Sequence, residues 1–217
     1  MPKNNLKLAD EFAAEYDNSV VKNNWAGPEV IFKLVNDLIK PNSEILDVGI
    51  GTGESAVRFQ KAGHKITGID GSERMLQECE RKRIGKKLIL HDLEEVPIPL
   101  ENNRFDLVIA CALFHLINPV KLLFPEIIRL LKTNGIFVFT FENTDDVLGY
   151  SEIETGVWET KTKTGVFGFK YSEDYISRLL EQHNFRIIKQ KKFLAYTNSE
   201  LQKDFYFTAN VAQVQSK

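Results

Sequence analysis

The chain has 217 residues, a formal net charge of −2 and a hydrophobic content of 43%. This length indicates one domain, and the nearly balanced charge gives no reason to expect nucleic acid or an anionic membrane as a main partner. Cys79 and Cys111 show neither metal-ligand spacing nor a disulfide framework, so we expect no metal and a reducing compartment. No stretch reaches the ~18 apolar residues of a membrane helix, and no signal peptide is evident. We expect a cytoplasmic protein, as a monomer or a weak homodimer.

The first 40 residues predict an N-terminal helical arm or cap. Residues 1–24 are polar with scattered aromatic side chains. Pro28 suits the first position of a helix, and apolar residues then recur at helical spacing. Pro41 ends that pattern.

Residues 41–141 alternate between apolar strands and helices. Helices are predicted at 53–62, at 72–83 with Ser72 as N-cap, and from Pro125 to Leu131. The predicted strands are SEILDVG, HKITGID, KKLILHD, RFDLVIA and IFVFTFE. This alternation predicts a Rossmann-like, doubly wound α/β fold with helices on both faces. A ligand in such a fold lies beyond the carboxyl ends of the strands.

Residues 142–217 complete the predicted domain with seven strands in all, mostly parallel and with an antiparallel last strand. Residues 142–171 read as a lid or hairpin insertion with a turn near Gly165. Residues 172–217 predict one helix and two strands. Aromatic residues of the insertion either line a substrate pocket or cover the edge of the core. They are Trp158, Phe167, Phe169 and Tyr171.

The segment ILDVGIGTGE, at 45–54, places three glycines within five positions. One glycine suffices for a tight strand-to-helix turn, so Gly49, Gly51 and Gly53 together suggest a ligand against the backbone. The dinucleotide fingerprint is G-x-G-x-x-G, whereas Glu54 stands here in place of its last glycine. A carboxylate at that point opposes a pyrophosphate. An adenosyl ligand with a cationic centre and no phosphate is compatible with it.

This loop and the motifs that follow it resemble the class I S-adenosylmethionine-dependent methyltransferases, over residues 41–141. Within that family the resemblance is to the small-molecule branch related to ubiquinone-type enzymes. It implies S-adenosylmethionine as cofactor, S-adenosylhomocysteine as product, and in-line methyl transfer to a small-molecule acceptor. The later motifs are GID at 68–70, GSERMLQEC at 71–79, HDLEEVPIP at 91–99, FDLVIACALFHLINP at 105–119 and LLKTNGIFVFT at 130–140.

The resemblance also implies the cofactor residues, each with a plainer alternative. Asp70 would bind the ribose hydroxyls, since a carboxylate accepts strongly from a vicinal diol, or it caps a helix. Asp92 would contact the adenine amine or form a turn, and Asp47 would reach the amino group or stabilise the loop. Met75 would pack against the purine, and Tyr16 would lie over the cofactor, or both belong to the core. The remaining implied contacts are Gly49, Gly51, Gly53, Gly71, Leu93, Ala110 and Cys111.

His115 follows the fourth strand and is the candidate general base. No carboxylate partner is evident in the sequence, so alignment without a base is the expected mechanism. Two rival functions stay open. One is a non-catalytic cofactor-binding module or partner subunit, because no acceptor signature follows the fourth strand. The other is a dinucleotide oxidoreductase, which Glu54 opposes.

Overall fold

The computed structural model describes residues 2–198 and 202–215. The helices are α1 (Lys3–Lys22), α2 (Gly27–Val35), α3 (Ala56–Lys61), α4 (Glu73–Arg81), α5 (Leu123–Leu130) and α6 (Glu173–Gln182). The strands are β1 (Glu44–Val48), β2 (Lys65–Asp70), β3 (Lys87–Leu90), β4 (Phe105–Ala110), β5 (Leu131–Glu142), β6 (Ser151–Glu154), β7 (Val157–Lys161), β8 (Phe167–Tyr171), β9 (Phe185–Asn198) and β10 (Lys203–Val214). Short 3₁₀ helices at Phe114–Leu116 and Val120–Leu122 precede α5.

The main sheet has seven strands in the order β3-β2-β1-β4-β5-β10-β9. The strands from β3 to β5 pair in parallel, and β10 pairs antiparallel with both β5 and β9. The doubly wound sheet with an antiparallel last strand is thus confirmed. Strand order reverses between β1 and β4, which places the ligand crevice at the carboxyl ends of these two strands.

Helices cover both faces of the sheet, as the continuous apolar strands require. Ile31 of α2 and Phe59 of α3 are fully buried in the core on one face. Phe124 of α5 and Ile176 of α6 are fully buried in the core on the other. Within the described part of the chain, every helix is too short or too polar to cross a membrane.

Three predicted boundaries in the first half of the sheet differ from the structure. Helix α3 begins at Ala56 because the preceding residues turn with the glycine loop. Helix α5 begins two residues before Pro125, which sits in the first turn, where its missing N–H is not needed. Strand β5 begins at Leu131 and takes in the residues predicted as a turn.

The N-terminal segment and the insertion hold more regular structure than predicted. Residues 1–24 were expected to be an arm or a short helix, yet α1 has 20 residues, of which Asn5 and Ala13 are buried. Strands β7 and β8 form the predicted hairpin, with Gly165 at a φ of +90° in its turn. Strand β6, which was not predicted, adds to β7 and makes a second, three-stranded sheet.

Candidate functional site

The glycine loop joins β1 to α3 at the reversal of strand order. Gly49, Gly51 and Gly53 have φ values of +74°, +53° and +92°, a region that favours glycine. A Cβ on Gly49 would lie 2.8 Å from Leu113, and one on Gly53 would lie 2.9 Å from Ile84. A Cβ on Gly51 would meet no atom within 4 Å. Two of the glycines are therefore needed for packing, and Gly51 is the one whose bare side faces open space.

Asp70, at the end of β2, ties this loop to α4. Its Oδ2 accepts a hydrogen bond from the Gly51 N–H at 2.8 Å, and its Oδ1 accepts one from the Ser72 N–H at 2.9 Å. Burial raises the pKa of the Asp70 carboxyl, although these backbone hydrogen bonds oppose the shift. Ser72 caps α4 as predicted, since its Oγ accepts from the Met75 N–H at 3.2 Å. Each carboxylate oxygen can accept a second hydrogen bond, so this role leaves Asp70 able to bind a ligand.

A small cavity of about 80 Å³ lies between the loop, the end of β4 and α1. We call it the cofactor cavity. Its predicted lining residues are Tyr16, Gly49, Gly51, Asp70, Met75 and Cys111. The residues that sequence reasoning missed are Ala9, Trp25, Ile50, Glu54, Ser55, Ala112, Leu113 and Leu116. Ala112, Leu113 and Leu116 directly follow Cys111 in the fourth motif, so the motif could have indicated them. Ala9 and Trp25 line the cavity only because tertiary packing brings them there.

Several residues predicted to contact the cofactor lie elsewhere. Ala110 and Leu93 are buried in the core, so their side chains do not reach the cofactor cavity. A contact of the Ala110 backbone with the cofactor stays a prediction. Gly53 faces the core, as its packing against Ile84 requires. Gly71 is covered by Leu6 of α1, whose Cδ2 would lie 2.6 Å from a Cβ there. These two glycines serve packing in this structure.

The two other predicted carboxylates flank the cofactor cavity without lining it. Asp92 accepts a hydrogen bond from the Glu94 N–H at 3.1 Å, the turn geometry that was its alternative reading. Its contact with adenine stays a prediction. Asp47 is buried behind the loop, and its Oδ2 has no hydrogen-bond partner among the described residues. Burial, and then the charge of Asp70, raise the pKa of the Asp47 carboxyl.

Two carboxylates of α1 dock the helix over the site. Asp10 Oδ1 accepts from the Ser72 hydroxyl at 2.6 Å, at the start of α4. Asp17 Oδ1 accepts from the Thr52 hydroxyl at 2.6 Å, within the glycine loop. Helix α1 thereby bridges the loop and α4.

The second oxygen of Asp17 belongs to an ion-pair cluster. Lys82 Nζ lies 2.6 Å from Asp17 Oδ2 and 2.9 Å from Glu54 Oε1. Burial opposes the charge of Lys82, yet these two partners raise its pKa overall. Two carboxylates against one ammonium leave a net negative charge beside the loop. That charge repels a pyrophosphate and favours a cationic ligand.

A larger cavity of about 380 Å³ adjoins the first beyond the ends of β4 and β10. We call it the aromatic cavity. It shares Tyr16, Trp25, Ala112 and Leu116 with the cofactor cavity. Its further lining residues are Phe12, Ser19, Val20, Asn23, His115, Tyr196, Asn198 and Phe207. A third cavity of about 430 Å³, mostly apolar, lies on the other side of Tyr16, between α1 and the hairpin tip at Thr164 and Val166.

His115 lies in the aromatic cavity, close to the end of β4. Its ring meets that of Phe207 edge to face, with centroids 5.5 Å apart. Its Nδ1 is enclosed and has no hydrogen-bond partner among the described residues. Burial lowers the pKa of His115 to about 4. The imidazole is therefore neutral near pH 7, and no described residue supplies the carboxylate that commonly orients a catalytic histidine.

The aromatic residues predicted to line a substrate pocket lie outside these three cavities. Phe169 and Tyr171 are buried in the main core, and the Tyr171 hydroxyl donates to the Ile117 carbonyl at 2.6 Å. The pocket role is therefore wrong for these two, and the core role is correct. Trp158 and Phe167 are half-buried on the second sheet and border none of the three cavities within the described residues.

Gly51→Ala is expected to impair the cofactor cavity with a limited effect on the fold. The positive φ costs an alanine about 1–2 kcal/mol, and the added methyl projects toward the ligand. Gly63→Ala is a matched control, because Gly63 also has a positive φ and open space but lies at the end of α3. Both variants should lose similar stability in thermal unfolding, and only Gly51→Ala should lose affinity for S-adenosylhomocysteine in calorimetry. Equal affinities would remove Gly51 from the site.

The chemistry of the cofactor cavity fits an adenosyl sulfonium. Gly51 leaves room beside the backbone, Asp70 offers a carboxylate, and the lining among the described residues includes no Lys or Arg that would suit a phosphate. The volume of about 80 Å³ is well below the ~300–1,000 Å³ of typical ligand pockets. Tyr16 and its helix must therefore shift for a whole cofactor to enter.

The comparisons with known proteins agree with this chemistry. The methyltransferase domain family model matches residues 46–139. A protein of Geobacillus sp. (strain WCH70) that is named as a methyltransferase is 38% identical over 105 residues. These residues cover 46% of this chain and 42% of that protein. The malonyl-[acyl-carrier protein] O-methyltransferase of Buchnera aphidicola is 30% identical over 137 residues, or 62% of this chain and 53% of that one. The chain spans about half the length of these curated relatives.

Among the solved structures that match nearly the whole chain, one holds two bound molecules. It is the 1,6-didemethyltoxoflavin-N1-methyltransferase of Burkholderia thailandensis, crystallised with 1,6-didemethyltoxoflavin and S-adenosylhomocysteine. Its TM-score is 0.71 at 16% identity, covering 96% of this chain and 88% of that one, which shows a shared fold. Residues 46–139 thus match the methyltransferase domain family, and the chain shares its fold with solved S-adenosylmethionine-dependent methyltransferases, which makes S-adenosylmethionine the expected cofactor.

Proposed function

We propose that this protein transfers a methyl group from S-adenosylmethionine to a small molecule bound in the aromatic cavity. The observation that carries the proposal is the contact between the two cavities. They share Tyr16 of α1 and Ala112, which follows β4. A ligand in one cavity is therefore adjacent to a ligand in the other. The Burkholderia neighbour, which holds a small molecule together with S-adenosylhomocysteine, supports this arrangement.

The residues of the chain contribute alignment and exclusion of water. When bound, S-adenosylmethionine supplies a methyl group on a positively charged sulfur, which is already activated toward nucleophiles. Helix α1 places Tyr16 against both cavities, and the ion pair of Asp17 with Lys82 holds that helix in place. Fixing two reactants side by side can remove about 7–11 kcal/mol of the barrier, and exclusion of water strengthens the electrostatic interactions in the site.

Because His115 is neutral, we expect the rate of methyl transfer to depend little on pH. With a pKa of about 4, it stays unprotonated from about pH 5.5 to 8. We expect kcat to be flat across that range and His115→Ala to lower it by less than about tenfold, because alignment alone suffices. A steep acid limb abolished by the substitution would instead make His115 a general base, a role worth typically ~10²–10⁴-fold.

The same depressed pKa has a consequence for stability. The unfolded histidine has a pKa of ~6.5, so the unfolded state binds a proton that the folded state refuses as the pH falls below that value. The free energy of unfolding is therefore not reduced by His115 above about pH 6.5, and it falls as the pH declines toward 4. In urea titrations, His115→Phe should lose less stability between these two pH values than the unaltered protein does. An unchanged pH dependence would contradict the burial of the imidazole.

Turnover is the direct test of the proposed function. The purified full chain is incubated with S-adenosylmethionine and a low-molecular-weight metabolite extract, and S-adenosylhomocysteine is measured by mass spectrometry. We expect product that depends on the extract and is reduced in Gly51→Ala. Cofactor binding by calorimetry without any product would favour the non-catalytic binding module. Binding of NAD and not S-adenosylhomocysteine would favour an oxidoreductase.

A further inference from the structure

The walls of the aromatic cavity indicate what kind of acceptor it takes, an inference that rests on the proposed function. Six rings border the cavity, whose volume is about 380 Å³. They come from Phe12 and Tyr16 on α1, Trp25 before α2, His115 after β4, Tyr196 on β9 and Phe207 on β10. Aromatic faces and edges favour a partner that is itself a π-system.

One wall of the cavity is held firmly by the sheet. The Trp25 ring meets Phe207 at 5.3 Å and Tyr196 at 6.2 Å, both in edge-to-face geometry. Tyr196 in turn stacks on Phe205 with ring centroids 4.6 Å apart. Phe207 is buried at the centre of this group. A preformed aromatic wall lowers the entropy cost of binding a flat molecule against it.

The opposite wall is formed by α1 and adds polar groups without charge. Phe12 and Tyr16 face each other edge on, with ring centroids 6.2 Å apart. Asn23 Nδ2 donates to Ser19 Oγ at 3.1 Å at the end of the helix. A hydroxyl and an amide can bind a ring nitrogen, a carbonyl or a hydroxyl of a ligand.

Charge is absent from the cavity itself. Among the described residues that line it, there is no Asp, Glu, Lys or Arg. Burial, and then Cys111 and the carboxylates of Glu54, Asp70 and Asp17, raise the pKa of the Tyr16 phenol, so the charges that act on this ring disfavour a further negative charge. An anionic acceptor would lose its hydration without gaining a counter-charge, which is costly.

We propose that the acceptor is a compact aromatic or heteroaromatic molecule without a negative charge, methylated on a ring nitrogen or on a hydroxyl borne by the ring. The new bond joins that nitrogen or oxygen to the methyl carbon. The bond between this carbon and the sulfonium sulfur breaks, and its electron pair stays on the sulfur. The N–H or O–H proton of the acceptor leaves to solvent, so the step is balanced without a protein base.

A set of matched probes tests the class of acceptor on the full chain saturated with S-adenosylhomocysteine. The probes are 2-naphthol, its anionic counterpart 2-naphthoate and its saturated counterpart 2-decalol, each titrated by calorimetry. We expect 2-naphthol to bind about tenfold or more tightly than each of the others. Equal or tighter binding of the anion or of the saturated alcohol would overturn the proposal.

A charge placed in the cavity provides the second measurement. Val20 lines the aromatic cavity, whereas its neighbour Val21 is 80% exposed, so Val20→Lys and Val21→Lys form a matched pair. We expect Val20→Lys to shift the preference toward 2-naphthoate by about tenfold or more, and Val21→Lys to leave it unchanged. The same shift in both variants, or in neither, would place the probes outside this cavity and overturn the assignment.

Failure of this inference is distinguishable from failure of the proposed function. S-adenosylhomocysteine is titrated first, and turnover with the metabolite extract is measured separately. Turnover with no discrimination among the probes would reject the aromatic acceptor and leave methyl transfer intact. A protein that binds S-adenosylhomocysteine and never produces it would reject the proposed function itself.

Discussion

Asp70→Ala is expected to weaken the binding of S-adenosylhomocysteine by roughly 2–4 kcal/mol, about 30- to 900-fold. Two effects contribute. The substitution removes a buried carboxylate that borders the cofactor cavity, and it releases the Gly51 N–H that this carboxylate holds at 2.8 Å. Calorimetry of the purified variant measures the loss directly.

Asp106→Ala is the matched control for this experiment. Asp106 lies on β4, two strands along the sheet from β2, and also accepts a backbone hydrogen bond, from the Glu44 N–H at 2.9 Å. It stands near the amino end of its strand, away from the cofactor cavity. We expect both variants to lose stability and only Asp70→Ala to lose affinity. An unchanged affinity in Asp70→Ala would reduce its role to holding the loop.

Phe169→Ala is expected to reduce the free energy of unfolding by about 3–5 kcal/mol. The Phe169 side chain is 2% exposed and packs within the main core, so its removal leaves a cavity there. Urea denaturation followed by circular dichroism measures the change. Affinity for S-adenosylhomocysteine should be nearly intact wherever the variant is folded, because Phe169 borders none of the cavities at the glycine loop.

Trp158→Ala on the adjacent strand serves as its control. Trp158 is half-buried and pairs with Lys170 across β7 and β8. The Trp158→Ala substitution removes a larger side chain than Phe169→Ala does. We nevertheless expect a smaller loss of stability, because less of the Trp158 side chain is buried. A stable Phe169→Ala variant with weakened acceptor binding would return Phe169 to the substrate pocket.

The cofactor half of the site was predictable because its signals are local. Gly51 lies three residues beyond β1, and Asp70 is the last residue of β2, so parallel pairing of these strands brings them together. Ser72 could be read as a cap from the helical pattern that follows it. The spacing of the glycines does not show which of them faces the core and which faces the ligand. In the structure Gly53 packs against the core and Gly51 faces open space.

The aromatic cavity could not be predicted as a whole because most of its residues meet only through the order of the strands. Trp25 contacts Phe207 and Tyr196, which lie on the last two strands, far along the chain. The alternation in the hairpin predicted its turn correctly, but a two-residue period does not say which face meets the core. The buried face of β8 proved to carry Phe169 and Tyr171.

Helix α1 is attached to the rest of the protein mainly by polar contacts. Two of its 20 residues are buried, and its side-chain hydrogen bonds to the rest of the fold include those of Asn4, Asn5, Asp10 and Asp17. A segment with so little apolar burial opens at a free energy below that of global unfolding, and its amide hydrogens exchange sooner than those of the sheet. Ligands can thus enter and leave while the seven strands stay folded. Since an ion pair holds the helix, added salt should speed that opening, and the residence time of the product becomes a function of ionic strength.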